Sequence, residues 1–105
     1  MTELHHLTVD LSEDTDGVGT VEVIASTDPS QADAVDAEVQ LVLGWAWRRF
    51  PDSHGPLDER RDWDHDLQVV TETTAGRAWR TVTLTLSGSP AFIAAFAEQF
   101  GSALE

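Results

Sequence analysis

The chain has 105 residues, no cysteine, and a formal net charge of −13, with 19 acidic residues set against six arginines and no lysine. This length supports one core, and the lack of cysteine excludes a disulfide framework, a thiolate metal ligand and a thiol nucleophile. No stretch approaches the roughly 20 apolar residues that span a bilayer, the first residues lack a basic-then-apolar leader, and the acidic field repels phosphate backbones. Neither membrane nor nucleic acid is therefore expected as a partner, and the chain reads as a cytoplasmic protein of one domain, 1–103, with Leu104-Glu105 resembling a cloning scar.

The first strand pair comes from alternation. Leu7, Val9 and Leu11 alternate with Thr8 and Asp10, and Val21, Val23 and Ala25 alternate with Glu22 and Ile24, the period of half-buried strands. Between them, residues 12–19 are polar and carry two glycines, which suits a turn. Asp14-Thr15-Asp16-Gly17 has the look of a calcium loop. Aligned on its glycine, however, it places Val23 where a bidentate carboxylate is required, so it reads as an acidic hairpin turn.

Asp28-Pro29 then marks a helix start, with the proline in the first turn and the aspartate capping free N–H groups. Val35, Val39, Val42, Ala46 and Phe50, with Ala32 and Leu43 beside them, predict a helix over about 29–50 with one core stripe. Its early acids and its late Arg48 and Arg49 complement the helix dipole. At 1.5 Å per residue it would extend about 33 Å, beyond strands of about 17 to 24 Å. Trp45 and Trp47 point about 200° apart on it, so the second helix could cover one ring while the other needs a different partner.

Residues 51–62 form the one long connection, rich in proline and charge. Leu67 and Val69, then Val82, Leu84 and Leu86, predict a second hairpin joined around Ala75-Gly76. Ser89-Pro90 starts a second helix over about 90–100, with Phe92, Ile93, Phe96 and Phe100 inward and Gly101 at its end. Thr8, Asp10, Thr20, Glu22, Gln68, Glu72, Thr81, Thr83 and Thr85 share the opposite face, so helices should cover one face only. The expected fold class is α+β: a two-layer sandwich, a four-stranded mainly antiparallel sheet with two helices on one face, in the order ββαββα.

Function is less legible. No Gly-x-Ser-x-Gly elbow, phosphate-cradling loop or His-Glu-x-x-His helix occurs, no cofactor is implied, and no residue is assigned a catalytic or metal-binding role. The leading expectation is a non-enzymatic interaction module of immunity or regulatory type, holding a protein partner, basic in character, through its acidic surface and the end of the first helix. Leu41, Trp45, Trp47, Arg48 and Arg49 form the expected binding patch, because aromatics and arginine concentrate binding energy at interfaces. Two alternatives stand beside it. In one, a pocket between the helix end and the 51–62 loop uses His54, Asp64 and His65 for acid, base or metal-ligand chemistry. In the other, the chain is a homodimer without a ligand. Asp62, Asp64 and Asp66, spaced by two, could point to one side of a strand and attract a divalent cation, but an acidic run before a strand reads as a solvated edge. The four histidines, His5, His6, His54 and His65, read as exposed and structural.

Overall fold

In a computed structural model, the chain is described over residues 4, 6–15, 17–55 and 61–101. Its elements run β1 (Thr8–Glu13), β2 (Gly19–Thr27), a 3₁₀ turn (Pro29–Gln31), α1 (Ala32–Arg49), β3 (Trp63–Thr74), β4 (Arg77–Gly88) and α2 (Pro90–Phe100). The expectations that fall on His5, Asp16, residues 56–60 and Leu104-Glu105 lie outside the described residues. No described helix is long and apolar enough to cross a membrane.

Both X-Pro starts cap as the sequence implies. Asp28 Oδ1 accepts from the Ser30 N–H at 2.8 Å, and Ser89 Oγ accepts from the Phe92 N–H at 3.3 Å. Pro29 opens the 3₁₀ turn, which leads directly into α1. Ahead of β1, the Glu38 carboxylate of α1 accepts the N–H groups of His6 and Leu7, tying the leading segment to the helix.

The four strands pair antiparallel throughout, in the order β1-β2-β4-β3. Val21 and Val23 of β2 and Val82, Leu84 and Leu86 of β4 are buried with Val35, Val39, Val42 and Ala46 of α1 and Phe92, Ile93, Phe96 and Phe100 of α2 in one cluster. A single cluster fed by both helices and by every second residue of two central strands puts both helices on one face of the sheet. Two glycines let α2 come close. Gly19 and Gly88 stand opposite each other across β2 and β4; a Cβ on Gly88 would overlap the Phe92 ring, and one on Gly19 would lie 2.8 Å from Ile93 Cδ1.

The second hairpin departs from the expected pattern. β3 and β4 each have twelve residues in one unbroken register, which at about 3.3 Å per residue is about 40 Å of ribbon. The helices cover β4 from Gly88 as far as Val82, but on β3 they bury only Trp63. Leu67 and Val69 face the helix side as alternation requires, yet they are 41% and 47% exposed, while Trp63, inside the acidic run, is fully buried. The bare end turns at Ala75 (φ 53°) and Gly76 (φ 78°), a two-residue turn with both central residues at positive φ, which follows the twist of a hairpin. On the outer face, Trp79 joins the threonine rows, half-exposed with the Arg77 guanidinium 5.1 Å from its ring centroid.

Candidate metal centre

The end of α1 and the start of β3 are joined through the backbone. The Phe50 carbonyl accepts from Trp63 Nε1 at 3.1 Å, and the Ser53 carbonyl accepts from the N–H groups of Asp62 and Trp63. Gly55 N–H donates to the Trp63 carbonyl at 2.9 Å, so 53–55 runs beside the outer edge of β3 with His54 in a parallel bridge to Trp63. Trp63 anchors this corner: its ring stacks on Phe92 at 5.7 Å with an interplanar angle of 8°.

That pairing delivers His54 to the side chains of β3. Its ring centroid lies 4.6 Å from Trp47, 4.5 Å from Trp63 and 4.9 Å from His65. His54 Nε2 is 2.8 Å from His65 Nδ1 and 3.3 Å from Asp64 Oδ1. The same Asp64 oxygen accepts the His65 N–H at 2.8 Å, which fixes the carboxylate. Asp64 and His65 point to opposite faces of the strand, as neighbours must. They converge because His54 sits at the edge, where both can reach it.

One ligand atom from each of His54, Asp64 and His65 lies within 4.8 Å of the others, and all three residues are partly buried. Burial holds the His65 imidazole below its ordinary 6.5, the charge of His54 adds to this, and Asp64 and Asp66 oppose it. His65 therefore stays neutral near pH 7 with a ring nitrogen lone pair to offer. At metal–ligand bonds of about 2.0 to 2.2 Å, ligand atoms around one ion lie about 3 to 3.5 Å apart. The His54 Nε2–Asp64 Oδ1 separation of 3.3 Å falls in that range, the 2.8 Å between the two rings is slightly shorter, and the widest, within 4.8 Å, would have to close, so one divalent ion could take the place of the hydrogen bond between the two rings.

The structure disperses the acidic triplet. Asp62 precedes β3 and binds the start of α2, its carboxylate accepting from Ser89 Oγ at 3.0 Å and its carbonyl from the Ser89 N–H at 2.8 Å. Asp66 stands exposed, and only Asp64 reaches the histidines. The expected helix-end patch is likewise divided. Trp45 is 8% exposed, surrounded by Phe50, Phe92, Phe96 and Phe100, so α2 covers it and its indole cannot contribute to a surface. Trp47 is exposed on one side and covers His54 on the other. Leu41 and Arg48, seven positions apart, align within about 20°, but Trp47 stands about 100 to 120° around the helix from them. Arg49 places its guanidinium 5.1 Å from the Phe50 ring centroid. Trp63 was the residue most readily missed, because an indole between two aspartates reads as part of a solvated run.

No family model, curated protein or solved structure was found to match the chain.

Proposed function

We propose that the protein binds a divalent transition metal through His54, Asp64 and His65. The observation that carries this reading is the approach of His54 Nε2 to His65 Nδ1 and Asp64 Oδ1, at 2.8 and 3.3 Å. Two imidazoles and one carboxylate favour zinc, nickel, cobalt or copper over calcium or magnesium, which prefer all-oxygen sets. Three protein ligands leave a position for water, and a bound metal lowers that water's pKa, so the ligand count is that of a hydrolytic centre rather than a closed structural one. Titration with Co²⁺ at pH 7, followed by its visible absorption bands, tests the proposal. One equivalent should bind, and His54→Ala and Asp64→Asn should each weaken binding at least about tenfold. Unchanged affinity in both variants, or no binding at millimolar Co²⁺, would overturn it.

The exposure of Leu41 and Trp47 favours a second reading, an interaction module for a basic protein partner. Electrostatically steered association weakens steeply with ionic strength, so salt-insensitive binding of such a partner would remove it.

A further inference from the structure

β3 is one margin of the sheet, and its two halves are finished differently. Trp63 turns its N–H and carbonyl outward to residues 53–55. Every second residue after it must then present its backbone to the same side. The His65 N–H is taken by the Asp64 carboxylate. At Leu67, Val69, Thr71 and Thr73, no described residue takes up the outward N–H and carbonyl groups. Of the devices that blunt a free edge, this stretch has neither proline nor lysine nor a bulge in its register with β4, and Glu72 is its one charged residue. Leu67, Val69 and Val70 stay exposed along it. The other margin, β1, is half as long, with Leu7 and Val9 buried beneath it.

We infer that the 67–73 edge of β3 pairs antiparallel with the same edge of a second copy, about a two-fold axis at Val70, to form one continuous sheet. Two features select a copy of this chain. The first is charge. Asp64 and Asp66 lie on the outer face near the start of β3, while Arg77 stands on the same face opposite its last residue, Thr74; Arg80, opposite Thr71, turns to the helix side, where Asp36 of α1 holds it at 2.9 Å. Antiparallel pairing about Val70 sets Asp66 of one copy beside Thr74 and Arg77 of the other, whereas parallel pairing would set Asp66 against Asp66. The second is register. With Val70 opposite Val70 of the second copy, Leu67 meets Thr73 and Val69 meets Thr71, so all four free residues exchange backbone hydrogen bonds. On the outer face, Gln68 then meets Glu72 and Asp66 meets Thr74. Centring on Val69 instead would place Asp66 opposite Glu72, a like-charge pair on one face, which is unfavourable.

The absence of cysteine makes this register directly testable. Opposed residues in a non-hydrogen-bonded antiparallel pair have Cα atoms about 4.5 Å apart, within disulfide reach. V70C should therefore form a disulfide dimer on mild oxidation, while Q68C, whose two copies would lie four positions out of register, should not. Sedimentation of the unmodified chain should show a dimer at micromolar concentration. Val69→Pro removes an outward N–H without touching β4 and should shift the chain to monomer, with unchanged far-ultraviolet circular dichroism showing that the fold is kept. A monomer at several hundred micromolar, a folded Val69→Pro variant that remains dimeric, or equal cross-linking of V70C and Q68C would each overturn the inference.

Discussion

The two ends of the β3–β4 hairpin have similar alternation and opposite fates. At one end, Trp63 and Gly88 lie opposite each other beneath α2, where Trp63 stacks on Phe92 and bonds the Phe50 carbonyl. Farther along β3, Leu67 and Val69 face the helix side but stay exposed, lining an open groove with Asp36, Val39 and Gln40 of α1. A strand's period decides which way a side chain points, and the reach of the neighbouring layer decides whether it is buried. The candidate metal centre occupies the boundary, where the covered end gives way to the open edge. Its histidines gain a fixed backbone from one side and access to solvent from the other.

The largest effect should come from the covered end. Trp63→Ala removes a fully buried indole together with its hydrogen bond and should destabilise by about 3 to 5 kcal/mol, measured by urea unfolding. The sharpest comparison uses one register pair, Leu67 and Leu84. Leu84→Ala, at a fully buried position, should cost about 2 to 5 kcal/mol. Leu67→Ala should cost less than about 1 kcal/mol when measured at concentrations too low for association. Equal costs would mean that the open end is covered in solution. Gly88→Ala tests how closely α2 approaches: the added methyl meets the Phe92 ring, and overpacking of this kind costs about 1 to 3 kcal/mol.

Much of the architecture was legible because its signals are local. Asp28-Pro29 and Ser89-Pro90 announce helix starts through capping chemistry. The alternation in β1, β2 and β4 and the stripe from Val35 to Ala46 give the layers and the covered face. What the sequence does not carry is lateral extent. Leu67 and Val69 have the same spacing as Leu84 and Leu86, so nothing in the pattern shows that the helices stop short of them. Trp63 shows the converse, since flanking acids made a core residue look solvated. The histidine pair was legible in residue type alone. His54 and His65 are eleven positions apart across a highly charged segment, and only the pairing of 53–55 with the β3 edge brings their rings together.

At the open end, the turn itself should respond to mutation. Ala75 holds φ at 53°, a left-handed conformation that costs an L-residue with a Cβ roughly 1 to 2 kcal/mol, and which asparagine tolerates better. Ala75→Asn should therefore stabilise the chain by about 0.5 to 1 kcal/mol, read as a rise in the urea midpoint. Because this turn is far from Trp63, the gain should add to the effect of Gly88→Ala rather than couple with it.

The smallest expected effect concerns pH and also belongs to the open end. The Asp28 carboxyl is held below its ordinary 3.8, first by the Ser30 backbone N–H, then by the Ser30 side chain, with the charge of Arg77 on β4 adding to both. A carboxyl whose folded pKa is depressed binds fewer protons folded than unfolded. Its contribution to stability is therefore present above pH 3.8 and is lost as the pH falls through the depressed folded value. Asp28→Asn keeps an acceptor for the Ser30 N–H but cannot titrate, so its urea midpoint should fall less than that of the parent chain between pH 6 and pH 2.5. Arg77→Gln should move the Asp28 titration, followed by carboxyl NMR, part of the way back towards 3.8. The shift should be slight, because the carboxyl is exposed and solvent screens charges there. A large shift would mean that Arg77 and Asp28 meet in a drier setting, as they would if a second chain lay across this end of the hairpin.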